Sequence, residues 1–210
     1  MTKDEALAFL LEHKAVAVVR MSDPEKLRLA VEAVAAGGVR AVEITMTVPG
    51  AVEVIRHLAG LRLPGVLLGA GTVLDAESAV AVIEAGADFV VSPIADSGMI
   101  RECRRCGVLV APGAFTPAEI WRAWMEGADI IKVFPATSLG PAYLRDLKGP
   151  FPNLRLMPTG GVTPANARAF IDAGACCVGL GTALLDKALI AQGRWDELTA
   201  RAAALTASLA

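Results

Sequence analysis

Short apolar runs alternate with longer amphipathic stretches along the whole chain. Runs of strand length, such as 15–20 and 66–70, are each followed by a stretch with apolar residues at helical spacing. Many of these stretches begin with a capping residue or a proline, as in Ser22-Asp23-Pro24-Glu25, and end at an Ala-Gly or similar pair. The pattern therefore predicts repeated units of one strand and one helix.

Eight such units follow a short amphipathic helix predicted over 2–13. The predicted strands cover 15–20, 39–46, 66–70, 89–92, 108–111, 129–134, 154–158 and 176–180, and the last helix follows Gly193. Eight units favour a parallel (β/α)8 TIM barrel with an extra N-terminal helix, formed by residues 1–210 as one domain. A doubly wound sheet is the alternative, but the first strand-to-helix turn, Val19-Arg20-Met21-Ser22, lacks a glycine-rich dinucleotide fingerprint.

Composition and charge narrow the function classes. The 210 residues carry a formal net charge of −2 and no basic run, which argues against a nucleic-acid or anionic-membrane partner. The apolar runs are too short to span a bilayer and the N-terminus is polar, so we expect a cytoplasmic protein that binds a small molecule. The cysteine pairs, Cys103/Cys106 and Cys176/Cys177, lack the placement of a redox or zinc site, so no metal is expected.

One lysine, Lys132, lies inside a predicted strand. The stretch reads Asp-Ile-Ile-Lys-Val-Phe-Pro-Ala, whereas the other five lysines lie in or near predicted helices or loops. Apolar surroundings disfavour the charged form of a lysine, and a neutral lysine is a nucleophile that forms Schiff bases with carbonyl compounds. The alternative is a structural lysine that pairs with a buried carboxylate or reaches the strand end.

Polar residues recur at the C-terminal ends of the predicted strands, where a barrel gathers its chemistry. Alternation puts Glu43 and Thr45 on one face of the second strand, and Lys132 and Phe134 on one face of the sixth. If both faces point inward, Glu43 is the proton shuttle beside Lys132, unless the two only form a buried ion pair. Further candidate substrate contacts at strand ends are Arg20, Thr72, Pro93 and Thr159. For Thr45, Thr72 and Ser92, ordinary hydrogen-bonded strand ends are the alternative.

Two glycine-rich segments close the seventh and eighth strands, Thr159-Gly160-Gly161-Val162 and Gly179-Leu180-Gly181-Thr182. In barrels these two loops commonly bind phosphate, because glycines let backbone N–H groups approach the anion. We therefore expect Gly160, Gly161, Gly181 and Thr182 to bind a phosphate group. Glycines that only terminate the strands are the alternative.

Taken together, these motifs resemble the pyruvate-dependent 2-keto-3-deoxy-6-phosphogluconate (KDPG) and 4-hydroxy-2-oxoglutarate (KHG) aldolases over nearly the full chain. The segments that carry the resemblance are 37–39, 42–45, 69–74, 91–93, 131–136, 149–152 and 158–162. The resemblance implies a class I lyase without a cofactor, in which Lys132 forms an imine with pyruvate and Glu43 moves protons. It also implies that the glycine loops hold the substrate phosphate and that the protein is a homotrimer.

One position departs from the family pattern. Several relatives have an arginine four residues after Glu43 that contacts the substrate carboxylate, whereas this chain has Thr47. Arg20 matches an arginine of other members, and we expect it to hold the carboxylate instead. The leading hypothesis is cleavage of KDPG to pyruvate and glyceraldehyde 3-phosphate, with KHG cleavage to pyruvate and glyoxylate also open. A sugar-phosphate isomerase or epimerase with Glu43 as base, and a barrel that only binds phosphate ligands, are the alternatives.

Overall fold

Strands and helices alternate along the computed structural model, which describes all residues, 1–210. The strands are β1 (Ala15–Val19), β2 (Ala41–Thr45), β3 (Leu67–Gly71), β4 (Phe89–Val91), β5 (Leu109–Ala111), β6 (Gly113–Ala114), β7 (Ile131–Val133), β8 (Leu156–Pro158) and β9 (Val178–Leu180). The helices are α1 (Lys3–His13), α2 (Pro24–Ala36), α3 (Ala51–Leu61), α4 (Ala76–Glu84), α5 (Ser97–Arg105), α6 (Pro117–Met125), α7 (Gly140–Lys148), α8 (Ala167–Asp172), α9 (Lys187–Ala191) and α10 (Trp195–Leu209). A 3₁₀ turn covers Ala136–Ser138. The predicted N-terminal helix is confirmed as α1.

The strands form two parallel sheets rather than the one eight-stranded barrel that the sequence predicts. A curled six-stranded sheet has the order β5-β4-β3-β2-β1-β9, and a three-stranded sheet has the order β6-β7-β8. The predicted fifth strand over 108–111 is observed as β5, and an additional short strand, β6, follows Pro112, which has no N–H group for the ladder. Pro112 still accepts a hydrogen bond from the backbone N–H of Lys132 at 2.9 Å.

Hydrogen bonds join the two sheets at both edges. The Asp129 N–H donates to the Val110 carbonyl at 3.0 Å, which connects the start of the β7 segment to β5. On the other side the Cys176 N–H donates to the Leu156 carbonyl at 2.9 Å, and Thr159 forms a parallel bridge with Gly179. The C-terminal ends of all the strands therefore lie on the same side of the molecule.

The buried residues separate into two groups. An outer core of 50 residues lies between the strands and the surrounding helices. An inner cluster of 12 residues is formed by Ala6, Leu10, Val16, Ala41, Leu67, Phe89, Val91, Leu109, Ala111, Ile130, Met157 and Cys177. In β2, Ala41 belongs to the inner cluster and Val42 and Ile44 to the outer core, as strand alternation requires. Ala6 and Leu10 come from α1, so this helix contributes to the inner cluster from the start of the chain.

Two local structures differ from the sequence expectation. The predicted helix over 163–173 begins only at Ala167, because the Asn166 side chain accepts from the Thr163 N–H at 2.8 Å and donates to the Gly161 carbonyl at 3.0 Å. These bonds hold 161–166 as a loop.

The short helix α9 was not predicted, although Asp186 caps it by accepting from the N–H groups of Ala188 and Leu189. No helix is both long and apolar enough to cross a bilayer.

Candidate active site

Glu43 and Lys132 lie on the inner faces of β2 and β7. Their same-face neighbours two residues earlier, Ala41 and Ile130, belong to the inner cluster. Glu43 is 1% exposed and Lys132 is 4% exposed. Neither residue takes part in any of the ion pairs of the chain. The alternative in which the two residues only form a buried ion pair is therefore not what the structure contains.

Two buried side-chain oxygen atoms have no hydrogen-bond partner. They are Oε1 of Glu43 and Oγ1 of Thr159. Leaving a buried polar atom unpaired costs about 1–3 kcal/mol, so such atoms are rare in folded proteins and call for an explanation. Both atoms belong to residues that the sequence marks as candidate site residues, at the C-terminal ends of their strands. An unpaired carboxylate oxygen and an unpaired hydroxyl group at strand ends are chemically able to bind a polar group of a ligand.

Missing Cβ atoms make room for both unpaired oxygens. A Cβ atom on Gly71 would lie 1.7 Å from Oε1 of Glu43, and a Cβ atom on Gly179 would lie 2.3 Å from Oγ1 of Thr159. Gly71 ends β3, beside the strand that carries Glu43. The space that Glu43 occupies therefore exists only because the neighbouring strand has no side chain at this point.

Phe134 borders Lys132, and Thr72 directly follows the glycine that lies beside Glu43. The Phe134 ring is 5.0 Å from Nζ of Lys132, measured to the ring centroid, so an aromatic face borders the amine. Thr72 directly follows β3 and has a φ of 59°, a left-handed conformation that is a genuine outlier for a β-branched residue. Such strain costs about 1–3 kcal/mol and clusters at functional sites.

Thr45 and Pro93 complete the set at these strand ends. Oγ1 of Thr45 lies 2.8 Å from Oγ1 of Thr47, so the two hydroxyl groups share a hydrogen bond. Pro93 and Phe134 both line a cavity of about 300 Å³ at the ends of β4 and β6. Ser92, by contrast, uses its hydroxyl to accept from the Ile94 N–H at 3.2 Å, which is an ordinary turn contact.

The two glycine-rich segments meet in one cleft of about 240 Å³, here called the glycine cleft. Its lining contains every predicted phosphate residue, together with Arg20, Phe134 and Thr159. Gly160 and Gly161 have φ values of 85° and 74°, which a residue with a side chain adopts only under strain. The full lining is Val18, Arg20, Phe134, Thr159, Gly160, Gly161, Val162, Thr163, Gly179, Gly181, Thr182 and Ala183. Thr163 was not predicted as a site residue, although its position directly after the glycine segment is a usable signal.

Arg20 lines the glycine cleft. A Cβ atom on Gly181 would lie 3.3 Å from Nη1 of Arg20, so the guanidinium group is close to the second glycine segment. Neither Lys132 nor Glu43 lines this cleft, whereas Phe134 borders both the cleft and Lys132. Arg20 was expected to hold the substrate carboxylate, and in the structure it lines the cleft that also contains the predicted phosphate residues.

The cysteines are four free thiols. Cys103 is buried in α5, where desolvation raises the pKa of its thiol to about 12, and Cys106 is exposed just after the helix. The sulfur atoms of Cys176 and Cys177 are 3.8 Å apart. No group of three or more His, Cys, Asp or Glu side chains is arranged to hold a metal ion.

Comparison with known proteins identifies the family. A family model described as KDPG and KHG aldolase matches residues 7–201. The 2-dehydro-3-deoxy-phosphogluconate aldolase of Pseudomonas aeruginosa is 40% identical over 169 residues, which cover 80% of this chain and 76% of that protein. The 2-dehydro-3-deoxy-6-phosphogalactonate aldolase of Escherichia coli is 35% identical over 170 residues, which cover 80% of this chain and 83% of that protein.

A solved structure shares the fold over almost the whole chain. It is the KDPG aldolase of Legionella pneumophila with pyruvate captured at low pH as a covalent carbinolamine intermediate. The TM-score is 0.87 with 26% identity, and the match covers 95% of this chain and 97% of that one. The fold and the buried lysine and glutamate thus define a lyase of the aldolase class. The chain belongs to the KDPG and KHG aldolase family.

Proposed function

We propose that this enzyme is a class I aldolase that cleaves KDPG to pyruvate and glyceraldehyde 3-phosphate through a Schiff base on Lys132. The observation that carries the proposal is a buried lysine without an ion pair on the inner face of β7, together with the unpaired carboxylate oxygen of Glu43 on the inner face of β2. Covalent capture of pyruvate in the related Legionella enzyme supports the same chemistry. KHG, which gives pyruvate and glyoxylate, is a second substrate of the same kind.

The reaction begins when Nζ of Lys132 attacks the C2 carbonyl of the keto acid. Loss of water gives an iminium ion, and Glu43 removes the proton of the C4 hydroxyl group. The C3–C4 bond then breaks, its electron pair moves into the iminium system as an enamine, and the aldehyde leaves. Glu43 returns the proton to C3, and water hydrolyses the imine to release pyruvate and the free lysine.

The glycine cleft supplies the phosphate site in this proposal. Gly160, Gly161, Gly181 and Thr182 surround the phosphate group, and Arg20 adds a fixed positive charge with two-point geometry. Thr45, Thr72, Pro93, Phe134 and Thr159 contact the body of the substrate. Phe134 lies between the imine and the phosphate, so a substrate that reaches both must pass this ring.

Borohydride trapping tests the covalent step. The protein is incubated with pyruvate and sodium borohydride, and the modified peptide is mapped by mass spectrometry. We expect a carboxyethyl adduct on Lys132. An adduct on another lysine, or none, contradicts the assignment, and an isomerase or epimerase that uses Glu43 as its base gives no adduct.

Comparison of substrates defines the acceptor aldehyde and the role of Arg20. Cleavage rates for KDPG, its galactonate epimer and KHG identify the preferred keto acid. Arg20→Ala should raise KM for the phosphorylated substrates by a factor equivalent to about 1.5–3 kcal/mol, the range for a hydrogen bond to a charged group, and leave KM for KHG unchanged. If Arg20 instead holds the carboxylate, KM rises for all three substrates, since all carry that group.

We infer further that the two sheets belong to one closed (β/α)8 barrel that comprises residues 1–210 as a single domain. The hydrogen bonds at both sheet edges support this, with β5 and β6 as one strand interrupted at Pro112. We also infer a cytoplasmic location, because phosphorylated sugar acids are charged and do not cross bilayers unaided.

A homotrimer is the proposed assembly, and exposed apolar side chains on one side of the fold support it. Ile94, Phe115, Trp121 and Met125 are 49%, 39%, 44% and 65% exposed. Trp121 and Met125 lie four residues apart on one face of α6, and Ile94 and Phe115 line one cavity. Light scattering should give three times the chain mass of 21.8 kDa. Trp121→Glu should dissociate the assembly, and a monomeric parent protein would contradict the proposal.

A further inference from the structure

A second cavity adjoins the glycine cleft and is not used by the proposed reaction. This side cavity has a volume of about 440 Å³, compared with about 240 Å³ for the glycine cleft. Val18, Arg20 and Thr182 line both cavities, so the two share a wall. The remaining lining comes from α2, α9 and the segments that precede them.

Three cationic side chains from three different segments converge on the side cavity. They are Arg20 after β1, Lys26 in α2 and Lys187 at the start of α9. None of the three side chains takes part in an ion pair or a side-chain hydrogen bond, whereas seven other lysines and arginines do form ion pairs. In a chain of net charge −2, this is a local concentration of unpaired positive charge.

The acidic residues next to these cations are engaged elsewhere. The Asp23 carboxylate accepts from the N–H groups of Glu25 and Lys26 at the start of α2. Glu25 pairs with Arg28. Asp186 caps α9 and pairs with Arg201 at 3.0 Å. The positive charge of the side cavity is therefore free to attract an anion from solution.

The other wall of the side cavity is apolar. Met21 is half-buried there, and Leu185 and Ile190 are buried. A free inorganic anion would leave this wall in contact with water, whereas an anion with a hydrocarbon body would cover it. Burial of apolar surface contributes about 25 cal/mol per Å², so the wall favours such a body.

We propose that the side cavity binds a phosphomonoester with an apolar body and that it communicates with the glycine cleft through Arg20. A phosphate group carries a charge of about −1.5 to −2 at pH 7 and has three acceptor oxygens, which suits three converging cations better than a single carboxylate does. Because one guanidinium group serves both cavities, a ligand in the side cavity weakens the hold of the glycine cleft on a substrate phosphate. The link between the two cavities rests on the proposed function, whereas ligand binding in the side cavity does not.

Calorimetric titration of the full chain with monohexyl phosphate tests the binding statement. Against the parent protein we compare Lys26→Met/Lys187→Met, which removes two charges, and Ala191→Phe, which fills the cavity and keeps them. Arg101→Gln/Arg105→Gln is the matched control, because it removes two exposed charges from α5, a helix that does not line the side cavity. We expect a loss of affinity of about tenfold or more in the first two variants and less than about twofold in the control.

Two related ligands define the ligand class in the same titration. Inorganic phosphate should bind the side cavity more weakly than the hexyl ester because it leaves the apolar wall uncovered, and heptanoate should bind more weakly because it carries less charge. Equal affinity for the ester and either of these ligands overturns the assigned class. Unchanged ester affinity in both cavity variants, or an equal loss in the control, overturns the site itself.

Kinetics test the link through Arg20. Monohexyl phosphate should raise KM for KDPG in the parent enzyme and leave KM for KHG unchanged, because KHG has no phosphate. In Lys26→Met/Lys187→Met the ester should lose this effect. An equal effect on both substrates overturns the link. If the protein cleaves neither substrate, the proposed function fails while the binding result stands by itself.

Discussion

The inner strand faces contain two layers that differ in polarity although they belong to the same strands. Ala41, Ile130 and Met157 belong to the inner cluster of apolar side chains. Two residues further along the same strands, or just after them, come Glu43, Lys132 and Thr159. One step of the strand repeat therefore separates an apolar layer from a layer of buried polar groups.

The two layers have opposite effects on stability. The apolar layer is filled by large buried side chains such as Phe89 and Leu109, and each contributes about 1.5–3 kcal/mol by leaving water. The polar layer contains two buried oxygen atoms without partners, each of which costs about 1–3 kcal/mol. The apolar layer therefore offsets the cost of holding reactive groups in the dry interior. Mutations in the apolar layer should therefore change stability, whereas mutations in the polar layer should change activity.

The largest effect should come from Lys132→Met. The substitution removes the nucleophile, so turnover should fall by about 10⁴-fold or more, as for other lost nucleophiles. Because a buried ammonium is replaced by an apolar chain of similar volume, the unfolding free energy should be unchanged or higher. Steady-state kinetics and urea unfolding measure both quantities. Lys3→Met is the matched control and should retain the borohydride adduct, and a destabilised Lys132→Met variant would show that this lysine belongs to the stabilising layer.

The opposite result is expected for Leu10→Ala in the apolar layer. Leu10 is 2% exposed and reaches the inner cluster from α1. Its truncation should lower the unfolding free energy by about 2–5 kcal/mol through lost burial and a cavity. At a temperature where the variant remains folded, kcat should stay within about twofold of the parent value because no reacting group is touched. A large loss of kcat in the folded variant would show that the layers are coupled.

Glu43→Gln should slow proton transfer without preventing imine formation. We expect kcat to fall by about 100-fold or more, the contribution of a positioned general acid or base. Borohydride trapping should remain, and exchange of the pyruvate methyl protons with solvent should slow by a similar factor. Glu53→Gln, at an exposed position on α3, is the matched control. Near-normal turnover in Glu43→Gln would reduce Glu43 to a structural group.

The smallest effects come from two glycines of β3 that face different layers. A Cβ atom on Gly69 would lie 2.4 Å from the Phe89 ring, whereas one on Gly71 would lie 1.7 Å from Oε1 of Glu43. Gly69→Ala should cost about 1–3 kcal/mol of unfolding free energy by overpacking, with kcat nearly unchanged. Gly71→Ala should displace Glu43 and lower kcat. If both variants lose the same property, the boundary between the layers does not lie between these two residues.

The strand faces could be predicted from the sequence because alternation depends only on local geometry. The same rule put Glu43 and Lys132 on faces that can point inward, and their neighbours Ala41 and Ile130 do belong to the inner cluster. The resemblance to a family, which the family model confirms, rested on motifs spread over nearly the whole chain. The strand faces follow from residues that are close in sequence, and the family follows from motifs that can be read directly in the sequence.

Features that depend on approach between distant segments could not be predicted. The predicted barrel makes its first and last strands neighbours, as β1 and β9 are, but strand order does not determine which way the Arg20 side chain turns after β1. The additional strand β6 after Pro112 and the left-handed conformation of Thr72 also depend on neighbouring strands. The loop before α8 had a local signal in Asn166, but the same residue also suits a helix start.

Helix α1 precedes most of the residues that it packs against, and this affects the order of events during synthesis. Leu10 is synthesised before Leu109, which belongs to the inner cluster that buries it, and Lys3 pairs with Asp129, which is 126 residues away. At a translation rate of about 5–20 residues per second, roughly 5–20 seconds pass between the synthesis of Leu10 and that of Leu109. During this interval the inner cluster that buries the apolar face of α1 is incomplete, so the nascent chain exposes apolar surface.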